Sequence, residues 1–340
     1  MKWKVQLSEL SYDETETHAV EQVLKSQWLT MGERTLRFEQ EFSNYLGSDY
    51  TGVATSSATA ALHLILKALD LPKGAEVIVP ALTFVSDVNV VLELGLVPVL
   101  ADCNSFIDFN VCDESVIKRI TNKTKAIMIV HFAGYPKCLD KLKKICKKKQ
   151  IPLIEDVAHA PGARINDSKC GTLGDFGFFS FFSNKNLACG EGGFITSKDK
   201  VALDKIRLLR SHGMSAPTLD RHEGRASTYD IAFSGYNYRI DEIRSSLAIE
   251  QLKKLDRNNK KRGNLVERYR RNLEHSKLTI PFSSCDGNSK SAYHIFPVLL
   301  PSKISRMHVI EHMKANGIQT SIHYASFKSF TAHKIWSEKY

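Results

Sequence analysis

PLIEDVAHAPGARINDSKCGTLGDFGFFSFFSNKNLACGEGG, residues 152–193, is the stretch on which the reading of the fold turns. It opens on an apolar run, Pro152 to Ile154, that stops at Glu155 and Asp156. A short apolar strand ending in carboxylates is what an α/β sheet presents at the carboxyl edge of its strands, the edge along which such sheets bind ligands. A second run, Phe176 to Phe182, holds five Phe in seven residues, and Lys185 follows it. A lysine beside a low-dielectric wall loses its preference for the ammonium form, so its pKa falls and it can act as a nucleophilic amine. Gly190, Gly192 and Gly193 let the backbone come close to whatever that lysine holds. An acid at a strand end and a desolvated lysine fit pyridoxal 5'-phosphate (PLP), with Lys185 as its Schiff-base partner and Asp156 on its pyridinium nitrogen. The same two residues also fit an ordinary buried salt bridge.

Outward from this stretch the pattern is that of an α/β protein. EVIVPA (76–81), VPVLAD (97–102), KAIMIVHF (125–132) and PLIEDVA (152–158) read as strands, with helices at 85–94, 113–120 and 138–149 between them. Short apolar strands alternating with helices predict a largely parallel sheet covered on both faces. Gly52–Thr55, FGFFSF (176–181) and GGFITS (192–197) bring the strands to seven. Helices are expected at 13–27 and 34–46 before the sheet and at 199–211 after it.

Between the first strand and the helix from Ala60 lies TSSAT (55–59). Ser57, Ala58 and Thr59 fall at the helix N-terminus, where free N–H groups and the helix dipole favour an anion. The hydroxyls also read as plain caps. Phe84, just after a strand, could stack on a flat cofactor or belong to the core. Ser180, five residues before Lys185, could turn its hydroxyl to the same phosphate.

The 340 residues suit one large domain and a smaller companion. We place the large domain at 1–245 and a small, shortened C-terminal α/β domain at 246–340. In the latter a basic helix, a strand at Tyr293–Leu300, a helix at 306–316 and a strand leading to His323 and Tyr324 are expected. The formal net charge of +10 lies largely in 141–150 and 251–275, which read as solvated helix faces. No nucleic-acid motif accompanies them. Seven scattered cysteines without zinc spacing predict reduced thiols, no metal site and a cytoplasmic protein. No apolar stretch reaches about 20 residues and the N-terminus has no leader-like core, so neither membrane nor secretion is expected. No GxGxxG follows an early strand, against a dinucleotide-binding dehydrogenase.

With these motifs in order, the chain resembles the DegT/DnrJ/EryC1/StrS family of sugar aminotransferases, PLP enzymes of fold type I. The resemblance runs from about Leu29 to Tyr324 through SSATAALHL (56–64), PALTFVS (80–86), IEDVAHAPGA (154–163), GDFGFFSFFSNKNLACGEGG (174–193), SHGM (211–214), GYNYRIDEI (235–243) and GIQTSIHY (317–324). It implies catalytic roles for Lys185, Asp156 and His159, the last beside the cofactor's 3' oxygen. It implies that Phe84 stacks on the ring and that Ala58, Thr59 and Ser180 hold the phosphate, with Asn237 from the neighbouring subunit of a homodimer. Arg239, His323 and Tyr324 would face substrate. The implied reaction is ping-pong transamination from an amino acid, usually L-glutamate, to a nucleotide-linked keto sugar. Ser-Asn before the lysine and GEGG after it resemble members that aminate C4 of a 4-keto-6-deoxy hexose, as in surface polysaccharide or amino-sugar biosynthesis. Two other readings stay beside it. A dehydrating relative would replace the lysine, and a regulator or pseudoenzyme would bind PLP without turnover. HYASFKSF (323–330) departs from the family's HYxPLH, with Lys328 where its second histidine stands.

Overall fold

The structure is a computed structural model and describes residues 3–47, 49–215, 224, 228–283 and 288–333. Seven strands form the main sheet: β1 (Thr51–Thr55), β2 (Glu76–Pro80), β3 (Val97–Ala101), β4 (Thr124–Val130), β5 (Leu153–Asp156), β8 (Phe176–Ser180) and β9 (Gly193–Ser197). Their order is β1-β9-β8-β5-β4-β2-β3. All run parallel except β9, which lies antiparallel between β1 and β8. The expected α/β sheet of PLP aminotransferases is therefore present. Its strand ends fall within two residues of the sequence reading.

Alternation along the strands sorts residues onto two covered faces. Val53, Val77, Met128, Ile154, Phe178 and Ile195 pack with α3 (Ala58–Ala68), α4 (Ser86–Glu93) and α7 (Lys200–Arg210). On the opposite face Ala54, Phe179 and Phe194 meet α2 (Glu33–Leu46) and α8 (Glu242–Leu273). Ile78, Ile127 and Leu153 meet α5 (Asp113–Lys118) and α6 (Asp140–Lys149) there. Phe42 sits edge-on to Phe179, Phe181 and Phe194 with ring centroids 4.7–5.5 Å apart. Each such buried ring stabilises the fold by about 1.5–3 kcal/mol. Before these helices comes α1 (Glu14–Ser26), capped by Asp13 and packed on α8.

β8 and β9 are two sides of one antiparallel hairpin whose connection, 181–192, carries Lys185. Phe181 N–H donates to Gly192 C=O at 2.9 Å, and Cys189 N–H to Phe181 C=O at 2.9 Å, so the base of the connection is closed.

Three corrections apply outside the main sheet. A second, three-stranded sheet of β6 (Arg164–Ile165), β7 (Ser168–Lys169) and β10 (Ser289–Lys290) has strands of two residues, too short to read from an apolar pattern. The strand expected at Tyr293–Leu300 is an extended run. Its backbone is spent on single contacts, His294 N–H to Ala133 C=O and a bridge from Leu299 to Thr279. The strand expected before His323 is likewise only a bridge, Val5 to Ile318, after α9 (Arg306–Ala315). α8 is one unbroken helix of 32 residues.

Candidate active site

The alternation that builds the core also aims the site. On β5, Leu153 and Glu155 face the side of α5 and α6, while Ile154 and Asp156 face α3 and α4. Glu155 is consumed structurally: it accepts N–H groups of Gly171, Leu173 and Gly174 at 2.6–2.8 Å and pairs with buried His131 at 2.8 Å. Asp156 is left at the sheet's carboxyl edge, 5% exposed, accepting Ala158 N–H at 2.8 Å. Burial raises its pKa, and Lys185 and His131 oppose that rise.

Lys185 is half-buried, and desolvation lowers its amine to about 8 against the pull of Asp156 and Asp87. Among the described residues it has no ion pair within 4.0 Å. The buried salt bridge that the sequence left open is therefore not formed. The next residue locks the lysine in place. Asn186 donates to Asn259 Oδ1 at 2.8 Å and Ala292 C=O at 2.7 Å, and accepts from His294 Nδ1 at 2.9 Å.

His159 is buried, its ring 4.5 Å from His294 and 6.3 Å from His323. Desolvation first, then Lys185, pushes its pKa well below the ordinary value, so it is neutral. Ala133 N–H donates to Nδ1 at 3.3 Å, which leaves the ring proton on Nε2, 2.8 Å from the Tyr324 hydroxyl. Desolvation raises Tyr324, and Asp156 and Asp87 add to it. Phe84 lies 53% exposed at the same edge, its ring 5.8 Å from that of Tyr324. His323 is half-buried, lowered by desolvation and by Lys185.

At the start of α3, Ser57 accepts Ala60 N–H at 3.1 Å and so is the cap. The N–H groups of Ala58 and Thr59 remain outside the helix ladder. Gly193 is pressed against this turn: a Cβ there would lie 2.4 Å from Ser57 C=O. Ser180 pairs with Gly193 across β8 and β9, so its hydroxyl edge and the α3 terminus are neighbours. Asn237 is exposed, its backbone bridged to Ser211, and Arg239 is half-buried just before α8. Among the described residues Asn237 has no hydrogen bond to the cluster of Lys185, Asp156, His159 and Tyr324. Lys328 is exposed on a 3₁₀ turn whose Phe327 is buried against α4's core cluster.

Sequence reasoning missed Asp87, His294 and Asn186. Asp87 reads as an ordinary acid in a helix's first turn, and His294 lies 109 residues beyond Lys185. Only the doublet Lys185-Asn186 offered a signal for the anchor.

These residues fit PLP on the structure's own terms. A buried carboxylate without a cation within ion-pair distance, a neutralisable lysine in its field, an exposed aromatic ring at the same edge and a helix N-terminus approached by a glycine are the parts such a cofactor needs.

The family model for the DegT/DnrJ/EryC1/StrS aminotransferase family matches residues 10–340. The uncharacterized protein MJ1066 of Methanocaldococcus jannaschii is 38% identical over 315 residues, 92% of this chain and 81% of that protein. Among solved structures, Helicobacter pylori PseC, an aminotransferase involved in pseudoaminic acid biosynthesis, superposes with a TM-score of 0.90 at 28% identity, covering 98% of this chain and 88% of its own. E. coli GDP-4-keto-6-deoxy-D-mannose-3-dehydratase with bound hydrated PLP gives 0.88 at 27% identity, covering 99% and 90%.

Proposed function

The chain belongs to the DegT/DnrJ/EryC1/StrS aminotransferase family, and from that premise we propose that it aminates a nucleotide-linked 4-keto-6-deoxy hexose with an amino group from L-glutamate. PLP-dependent sugar amination is the enzyme's class of activity. The observation that supports transamination is the amine of Lys185, lowered to about 8 and held without an ion pair to Asp156. The PseC and GDP-sugar dehydratase likenesses support a nucleotide sugar as acceptor. The net charge of +10 suits an anionic diphosphate.

PLP supplies an electron sink for negative charge at the carbon that loses its proton. The protein's own residues do the positioning and the proton transfer. Lys185 is the base that takes the donor's α-hydrogen and returns a proton at the acceptor carbon. Asp156 holds the proton on the ring nitrogen. His159 fixes the Tyr324 hydroxyl through Nε2–H, which leaves the hydroxyl's own proton for an oxygen of cofactor or substrate. Ala58, Thr59, Ser57 and Ser180 take the phosphate, Phe84 covers the ring, and Arg239 and His323 face the sugar. Asn237 completes the phosphate site of the other subunit in a homodimer. A large domain of 1–245, a small domain of 246–340 and a cytoplasmic place belong to the same reading. The described cysteines are all free thiols.

The test is the visible absorbance of the purified protein with PLP, before and after L-glutamate. We expect a band that L-glutamate bleaches, that Lys185→Ala lacks, and that returns on adding a 4-keto-6-deoxy sugar nucleotide. A band indifferent to every amino donor would mark a PLP-binding regulator. Absence of any Lys185-dependent band would overturn the assignment of Lys185.

A further inference from the structure

One buried carboxyl group at this edge has no role in the chemistry above. Asp87, in the first turn of α4, is fully buried, and its side chain is in hydrogen-bond contact with that of Asp156. Two carboxylates have only acceptors to offer each other, so the contact is attractive only if one of them carries a proton. The surroundings decide which. Asp156 accepts Ala158 N–H and lies in the field of Lys185 and His131, and all three favour its anion. Asp87 makes no ion pair among the described residues. It accepts the Thr83 hydroxyl proton and has Ser86 Oγ at 3.5 Å. The other titratable groups that sense it are Asp156, Lys185 and Tyr324.

We propose that Asp87 is a positioning residue: a neutral carboxylic acid that donates its hydrogen to the Asp156 carboxylate, keeping it ionised and turned toward the cofactor's ring nitrogen. This rests on the reading of Asp156 as the partner of that nitrogen. Burial, then the Asp156 charge, raises Asp87 well above the carboxylate range. The hydrogen bond from Asp87 in turn lowers Asp156 against the effect of its own burial. Thr83 completes the arrangement by donating into the Oδ2 of Asp87, so that the acid's proton is left for Asp156.

Three readouts on the PLP-loaded protein test this: the infrared carbonyl stretch of a neutral carboxylic acid at pH 7, PLP retention on dialysis, and the pH midpoint of the visible band. Asp87→Leu has the shape without the donor, and Asp87→Asn keeps a donor without a titrating proton. We expect wild type to show the neutral-acid stretch and Asp87→Asn to lack it. Asp87→Leu should retain PLP about tenfold more weakly and shift the midpoint up by about one pH unit, since a charge-assisted hydrogen bond is lost. The shift is upward because a ring nitrogen held less firmly protonated leaves less positive charge in the conjugated system. Asp87→Asn should restore both values. No neutral-acid stretch from Asp87, or an Asp87→Leu protein with wild-type retention and midpoint, overturns the proposal. Asp156→Asn serves as the control on the premise: if it too leaves retention and midpoint unchanged, the role of Asp156 fails, not merely that of Asp87. Should Asp87→Leu not fold, the infrared comparison of wild type with Asp87→Asn still decides.

Discussion

Lys185 owes its reactivity to where it sits. Burial lowers the amine to about 8 although Asp156 favours its charge. About one amine in ten is then neutral at pH 7 and about half at pH 8. Capture of PLP by the apoprotein should accordingly quicken about fivefold from pH 7 to 8 and level off above about pH 9. Stopped-flow absorbance would read this, and a profile flat across that range would show that the amine's proton does not limit capture. Lys185 and Asp156 were legible in the sequence because each ends an apolar run, and such runs mark strand ends. Glu155 looked like the equal of Asp156 in the sequence, yet the two-residue period of β5 sends it to the other face, where it ties down 171–174. Asp87 was illegible for a different reason. An acid in a first turn is expected on dipole grounds alone, and only the fold, which packs α4 on β2 and β3 and brings Asp87 to the end of β5, reveals its neighbour.

Among the elements, α2 shows how far apart in sequence a cap can lie. Its N-cap, Gly32, has no side chain to offer. Glu242, at the start of α8, supplies the acceptor instead, taking the N–H groups of Gly32, Arg34 and Thr35 at 2.7–2.9 Å and the Thr35 hydroxyl at 2.8 Å. It is 3% exposed, so removing it strands the buried N–H groups of Gly32 and Thr35, while the Thr35 hydroxyl keeps Ser245 Oγ at 2.9 Å. Glu242→Ala should cost about 3 kcal/mol in urea unfolding, with the m-value unchanged. A loss below about 1 kcal/mol would mean that water replaces the carboxylate. The seven strands of the main sheet were readable because both of their faces are buried and their apolar runs are continuous. The C-terminal segments were not, since their backbone groups bond singly to the loop at 133–134 and to Thr279 rather than along a partner strand. The apolar run at 293–300 is satisfied by lying against the large body. Phe282, Tyr293 and Ile295 pack there with Phe132 and Tyr135.

At the scale of the whole molecule, the proposed dimer makes a quantitative expectation. Each site would take Lys185 from one subunit and Asn237 from the other. Neither Lys185→Ala nor Asn237→Ala alone should aminate sugar efficiently. Co-expressed in equal amounts, the two should regain about a quarter of wild-type activity, because half the dimers are mixed and each mixed dimer has one intact site. No recovery, with mixed dimers present on native mass spectrometry, would place Asn237 in its own subunit's site. The hairpin of β8 and β9 bears on timing. In the proposed reaction Lys185 would leave its cofactor and come back in each cycle; it could ride on a swinging loop, and catalytic loop swings take microseconds to milliseconds. Here the loop's two ends are adjacent, hydrogen-bonded strands in mid-sheet, and Asn186 is pinned from three sides. The backbone is held, so Lys185 would travel by turning its own side-chain bonds, which is faster than moving a loop. The clock of each turnover is then set by proton transfer or by the sugar's arrival and departure, and not by the lysine's return.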